Sequence, residues 1–403
     1  MENLLNEAKR LQSKLVQYRR ALHAHAEVGF DLPFTRQFIM QTLREIGYQP
    51  TECGKGGIVA TIGGSKSKGE KSPSAILLRA DMDGLPMKEK THLPFACKSG
   101  NMHACGHDIH AASLLGAAHL LKARESQLST CVKLFFQPAE ELLEGAQDCL
   151  NSGLLQSPRV GSAFMLHVLV GANMPVGSVV VANAGVSAPA ADYFRIEVVG
   201  KSCHGAAPQN GVDALMVATQ IFCALQAIST REVSSGAGLT LTIGKMQAGV
   251  AGNAVADKAV LQGTLRVYDE ETRAFVKKRV EQIVRDVAKT FRARAKTFFE
   301  GGCPTLYNDR ERVENALLAL KKSLGAKRVF SAEEMGGQRK KNGGSEDFSY
   351  ISHAVPSVMI ALCAGNGAEG YPLHHPKVVF DESALCYGAT AYATVALAEN
   401  SGK

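Results

Sequence analysis

The feature that most constrains this chain is a series of apolar runs that each lead into residues able to bind a metal. Ser74–Ala80 (SAILLRA) is followed by Asp81 and Asp83, and Val132–Phe136 (VKLFF) by Gln137-Pro138 and then Glu140-Glu141. Ala163–Leu166 ends at His167, and His374-His375 stand just before Pro376 near the C-terminus. Short continuous apolar runs read as strands buried on both faces, the signature of a sheet covered by helices. In such open sheets ligands bind in the crevice beyond the carboxyl ends of the strands. Any one of these residues alone is an ordinary loop carboxylate or surface histidine. Their recurrence at equivalent positions predicts an α/β fold with a metal site at one sheet edge.

The densest donor cluster is His103-Ala104-Cys105-Gly106-His107-Asp108-Ile109-His110, directly before the apolar helical run Ala111–Leu121. A thiolate and an imidazole two residues apart can grip one borderline-soft cation if the backbone is extended or looped. On a helix, residues i and i+2 face different ways, so Cys105 and His107 are predicted to sit on the turn before the helix. Taken alone, such a pair is most often a satisfied core pair. The donors together (Cys105, His107, Glu141, His167 and His374, with Asp81 nearby) exceed one cation's needs and suggest two metals sharing ligands, with a water or hydroxide between them. The Glu140-Glu141 pair adds a mechanistic clue: one carboxylate can bind metal while its neighbour serves as a general base. A helix N-terminus favouring negative charge would also explain the pair, and both can hold together. A Cys105 nucleophile with His107 as base has poor attack geometry and leaves the carboxylates unexplained.

Bulk properties agree. At 403 residues, 45% hydrophobic and 21% charged, the chain supports a large core and two domains. Its net charge of +7 is spread along the chain, and the basic Gln338–Lys341 stretch reads as a loop rather than a nucleic-acid patch. Met1–Ala24 reads as an amphipathic surface helix and not a signal peptide, and no run reaches the ~18 apolar residues of a membrane span. Ten cysteines without paired spacing fit reduced thiols and a cytoplasmic location.

Strand and helix signals alternate from Tyr48 to about Val181, with helices predicted over Asp108–Ser126 and Ala139–Gly153. The pattern then changes. Strand Asp192–Val199, helix Val212–Thr230, strands Gly238–Met246 and Ala259–Val267, helix Glu270–Ala293 and strand Lys296–Phe299 give the β-α-β-β-α-β order of a ferredoxin-like unit. This unit falls between His167 and His374. The expected architecture is therefore a catalytic α/β domain over 1–188 and 302–403 with a smaller domain, 189–301, inserted in it. Gly185 and Gly301-Gly302 are candidate hinges, and Gly63–Ser72 is a short Gly/Ser/Lys loop.

The motifs as a set resemble the M20 peptidase/amidohydrolase family, in the branch of N-acyl-amino-acid amidohydrolases, hippurate hydrolases and auxin-conjugate hydrolases. They are Arg19–His23 (RRALH), RADMDGLP at Arg79–Pro86, MHACGHDIH at Met102–His110, QPAEE at Gln137–Glu141 and His167-Val168. HGAAP at His204–Pro208, GTLR at Gly263–Arg266, GGSEDFSY at Gly343–Tyr350 and LHHP at Leu373–Pro376 complete the set. The resemblance implies a zinc-exopeptidase-like catalytic domain with an inserted ferredoxin-like α+β lid and dimerisation domain. By it the metal ligands are Cys105, His107, Glu141, His167 and His374, the first histidine of the LHHP pattern being the ligand, and Glu140 is the catalytic base. Asp83 orients a metal-bound histidine. Asp81 stands where other branches carry a histidine ligand and is left out of the ligand set, and Asp108 helps to hold the ligand loop. His204 serves the developing oxyanion, while Asn253 and Arg266 bind the substrate carboxylate.

The cofactors implied are two divalent metal ions per subunit (Zn, Mn, Co or Ni). The implied partners are a small N-acyl amino acid or dipeptide and a second copy of the chain, with no nucleic acid and no membrane. The chain departs from the branch at Ala26, at Ala214 and at Asn253–Asp257 (NAVAD), where prolines are usual; none of these is a metal donor. Alternative readings are a dipeptidase or carboxypeptidase of the same family, and a non-catalytic metal-containing carrier of small ligands.

Overall fold

A computed structural model describes residues 4–64, 75–335, 344–365 and 370–401. The predicted Gln338–Lys341 loop, most of Gly63–Ser72, Ser74 at the start of the first donor-bearing strand and Gly343 of the GGSEDFSY motif lie outside these residues. The chain separates into two compact units: 1–187 with 307–340 and 347–403, and 188–306 with 341–346.

The larger unit is built on an eight-stranded sheet among the described residues. Its order is Thr51–Cys53, Gly57–Ile62, Val132–Gln137, Ala75–Asp81, Val160–Leu169, Ser357–Cys363, Val179–Val181, Val329–Ser331. The central strands from Val132–Gln137 to Ser357–Cys363 run parallel. Every residue of Ala75–Asp81 and of Val132–Gln137 is buried, as apolar strands covered on both faces must be. The charged residues inside those strands are satisfied. Lys133 donates to the carbonyls of Leu154, Gln156 and Pro158 at 2.9, 2.7 and 3.2 Å, and Arg79 binds side chains at the site described below.

Helix His107–Lys122 runs through the core with only His119 and Lys122 less than fully buried. It packs on helix Leu385–Ser401 at Gly116, where an added Cβ would lie 2.7 Å from the Ala389 Cβ. The close approach requires the missing side chain. The N-terminal segment forms two helices, Leu4–Arg10 and Gln12–Ala24, instead of the single predicted one.

The smaller unit has a four-stranded antiparallel sheet in the order Thr240–Ala248, Lys258–Val267, Ala190–Val199, Arg294–Cys303. Helices Ala214–Ala227 and Glu270–Thr290 share one core with it through Ile196, Ile221, Leu261, Val280 and Val284. Asp213 and Asp269 cap those helices, accepting backbone N–H bonds from Leu215 and Met216 and from Thr272. Chain order and sheet order together are those of the ferredoxin-like fold. Among the described residues no helix is long and apolar enough to cross a membrane.

Candidate metal and active site

Gly106 sets the geometry of the donor cluster. It caps helix His107–Lys122 at φ +83°, and a Cβ there would lie 2.5 Å from Val168 Cγ2. Only glycine fits so tight a left-handed turn. The turn holds Cys105 and His107 on either side of the helix start, where their donor atoms and that of His167 lie within 4.8 Å of one another. Cys105 Sγ is 3.5 Å from His167 Nε2, and His167 lies near the end of strand Val160–Leu169.

Three further triads overlap this one: Cys105, Glu141 and His374; His107, Glu140 and Glu141; and Asp81, His107 and His110. His374 Nε2 is 3.4 Å from Glu141 Oε1, and His107 Nε2 is 3.9 Å from Glu140 Oε2 and from Glu141 Oε1. Donors around one zinc-sized ion, at metal–ligand distances of ~2.0–2.3 Å, stand roughly 3–4 Å apart. Cys105 and Glu141 each belong to two triads and His107 to three, the pattern expected of donors serving two neighbouring ions.

A second observation tests whether the residues suit a cation. His107 Nε2 and Glu141 Oε1 are buried and lack a hydrogen-bond partner among the described residues. Leaving such atoms bare costs roughly 1–3 kcal/mol each, and a cation between them removes that cost. Charge points the same way. Burial alone would raise the Cys105 thiol, yet His167 and His107 pull it well below the usual thiol range, towards the ligating thiolate. Burial opposes charging of His107, but Asp81 and Cys105 hold its pKa well above the ordinary value. Burial and then the Cys105 charge push Glu141 up to about 7. His374 is raised by its hydrogen bond with Cys105. Electronegative groups are crowded here in the way a divalent cation relieves.

Two expectations change. Glu140 and Glu141 are not on a helix, because the predicted Ala139–Gly153 helix is confined to Gly145–Asn151. Ala139 and Leu143 adopt positive φ of 53° and 57°, and a helix cannot run through them. The Asp83 carboxylate holds this turn, accepting the N–H of Glu140 at 3.1 Å and of Glu141 at 3.2 Å. His107 Nδ1 meets the Asp83 carbonyl at 2.9 Å and its carboxylate at 3.4 Å. Asp83 thus touches both the carboxylate turn and the histidine. His374, in turn, ends no strand. It sits on a turn at φ 61°, anchored by its N–H to the Ala104 carbonyl at 3.0 Å. His375 stacks on Tyr371 instead.

Behind the donors lies a buried polar layer that the sequence reading only grazed. Asp108 accepts from Arg19 Nε at 2.7 Å and meets His23 Nδ1 at 2.8 Å, while His23 Nε2 meets Glu89 at 3.2 Å. Against the cost of burial, Asp108 and Glu89 raise His23 to about 9. Arg79 donates to Asp81, to Asp347 and to Gln137. Asp81 approaches His107 Nε2 at 3.7 Å, but its two oxygens are engaged by Arg79 at 2.7 Å and His110 at 2.5 Å. The sequence reading missed His110; three imidazoles in eight residues were its only signal.

In the smaller unit, His204 is exposed and pairs with Ala254 in a two-stranded ladder. The Asn253 carbonyl accepts the Gly205 N–H at 2.8 Å, so His204 and the exposed Asn253 are neighbours. Arg266 is half-buried on strand Lys258–Val267 and donates to Ser345 Oγ at 2.8 Å.

Comparison with known proteins adds a further line. Residues 77–398 match peptidase family M20/M25/M40. An N-acetylcysteine deacetylase of Bacillus subtilis is 33% identical over 392 residues, covering 96% of this chain and 97% of that protein. A hippurate hydrolase of Campylobacter jejuni is 33% identical over 399 residues, covering 98% and 99%. The crystal structure of a dinuclear metal-binding peptidase of the M20 family from Bacillus subtilis superposes with a TM-score of 0.78 at 30% identity, covering 96% and 98%.

Proposed function

Because this chain belongs to peptidase family M20/M25/M40, we propose that it hydrolyses the amide bond of N-acyl amino acids, with Glu140 as the general base. The broader activity, metal-dependent amide hydrolysis by an amidohydrolase, is the one its family relatives support. The observation that carries the finer reading is the convergence of Cys105, His107, Glu141, His167 and His374, with Glu140 beside them.

Those five residues would hold two divalent ions, drawn from Zn, Mn, Co or Ni, all of which tolerate mixed Cys, His and carboxylate ligands. When bound, the ions supply Lewis-acid polarisation of the scissile carbonyl and a more acidic water. Glu140 takes the proton of that attacking water and hands it to the leaving amine. Asp83 fixes the turn on which Glu140 stands, through the backbone bonds described above. Arg266 pairs its guanidinium with the substrate's free carboxylate, Asn253 adds donors, and His204 stabilises the oxyanion. The same reading makes 189–301 a lid and dimerisation domain of a cytoplasmic homodimer. The peptidase relative favours a second reading, cleavage of dipeptides by the same chemistry.

The test is amine release from N-acetyl and N-benzoyl amino acids and simple dipeptides, with Zn²⁺, Mn²⁺ or Co²⁺ added and with a chelator control. Chelator-sensitive cleavage of acyl substrates supports the proposal. Preference for dipeptides selects the second reading, and silence across the panel with metal bound supports a carrier.

A further inference from the structure

Of the expected ligands, His110 shares a candidate triad with His107 alone, where Asp81 is the third member. It is fully buried in the middle of the donor cluster, and both its ring nitrogens are engaged by protein groups, Asp81 and the Val168 N–H. Its hydrogen bonds define its tautomer. The Val168 backbone N–H donates to His110 Nε2 at 2.8 Å, so that nitrogen is an acceptor and the ring proton sits on Nδ1. Nδ1 faces Asp81 Oδ1 at 2.5 Å, and Asp81 is held in turn by Arg79, which also binds Gln137 and Asp347. At the other end, the Val168 carbonyl meets His167 Nδ1 at 2.8 Å. That bond places the His167 proton on Nδ1 and makes Nε2, 3.5 Å from Cys105 Sγ, the nitrogen that faces the other donors.

We propose that His110 is a positioning residue: it fixes the His167–Val168 peptide, whose N–H it accepts, and through that stretch of backbone the Val168 carbonyl that sets the rotation and tautomer of His167, so that Nε2 is presented for metal binding. Each link has one donor and one acceptor. Asp81 accepts from His110, His110 accepts from the Val168 N–H, and the Val168 C=O accepts from His167. The Val168 N–H and C=O lie in successive peptide planes joined at the Val168 Cα, so the backbone on both sides of that atom is pinned, one plane by His110 and the next by His167. Groups that hold a ligating imidazole commonly act through its second nitrogen. Here the hold passes through the backbone of strand Val160–Leu169 rather than directly to the ring.

This inference rests on His167 being a ligand, and the experiment separates the two. Cobalt(II) affinity is measured by competition with a chromophoric chelator, together with the visible absorption of the cobalt-loaded protein, for His110→Gln, His110→Asn and His167→Ala. Gln reaches the Nε2 position and can accept from Val168. Asn reaches only the Nδ1 position and keeps Asp81. Positioning predicts that His110→Asn weakens cobalt binding by ~10–100-fold and alters the cobalt spectrum, while His110→Gln stays within ~10-fold of the parent. A role confined to filling space or neutralising Asp81 predicts that Asn does as well as Gln or better, which overturns the inference. If His167→Ala binds cobalt like the parent, the ligand reading itself falls. If His167→Ala weakens binding and His110→Asn does not, only the positioning role falls.

A measurement on the unaltered chain keeps the inference testable should the variants not fold. Long-range ¹H–¹⁵N NMR of histidine-labelled protein should show His110 protonated on Nδ1 and bare on Nε2. The opposite tautomer overturns the proposal.

Discussion

The expected functional residues of the larger unit are braced more heavily than those of the smaller unit. Cys105, His107 and Glu140 are buried, Glu141 and His167 are partly buried, and only His374 is exposed, while Asp83, Arg79, Asp81 and Asp108 brace the surrounding turns with hydrogen bonds mostly under 3.2 Å. His204 and Asn253 stand exposed on a two-residue ladder, and Arg266 is half-buried on a sheet strand. A site that fixes ions must keep its donors in register before the ions arrive, and a hydrogen-bonded polar layer behind them does that. Groups that meet a variable substrate need no such frame.

Perturbing the two regions should separate metal binding and chemistry from substrate affinity. The largest effect is expected at Glu140. Glu140→Gln should lower kcat by ~10²–10⁴-fold, the usual worth of a general base, with little change in KM for an N-acyl amino acid. Next, Cys105→Ala should weaken metal affinity by at least ~100-fold, since removing a ligand costs more than the 10–100-fold seen for the groups behind it; chelator competition reads this directly. Arg266→Met should leave metal content unchanged and raise KM by ~10–100-fold, the equivalent of losing charge-assisted hydrogen bonds of ~1.5–3 kcal/mol. A fall in metal content in that variant would erase the contrast between the regions.

The smallest effect concerns the brace itself. His23, raised to about 9 by Asp108 and Glu89 against the cost of burial, has a folded pKa above its unfolded value of ~6.5. Its contribution to stability is therefore full below about 6.5 and is lost as pH rises through about 9. The gap in urea stability between parent and His23→Gln should narrow from pH 6 to pH 9.5. A constant or widening gap would contradict the ion-pair account.

How much of this was legible follows from what each residue rests on. Ala75–Asp81 and Val132–Gln137 could be read as strands because both faces are buried and most residues are apolar. Strands and helices of the smaller unit alternate with the periodicity their single shared core demands. The Glu140 turn misled because Ala139–Glu144 (AEELLE) consists of strong helix formers, while the chain there turns at positive φ at Ala139 and Leu143, with the Asp83 carboxylate bound to the turn. His110 was invisible for a related reason. Its partners are Asp81 and the Val168 backbone, 29 and 58 positions away, and a peptide N–H leaves no mark in sequence. The donors themselves were legible because few other roles call for a thiol, imidazoles and paired carboxylates at the ends of buried strands.

The central claim, that Glu141 binds metal while its neighbour Glu140 is the base, is tested most directly by metal content. Glu140→Gln and Glu141→Gln would be dialysed against a metal buffer and their zinc counted by mass spectrometry beside the parent. The account predicts that Glu140→Gln retains the parent's metal content without turnover and that Glu141→Gln loses metal. Equal metal loss in both variants, or turnover retained by Glu140→Gln, would contradict it.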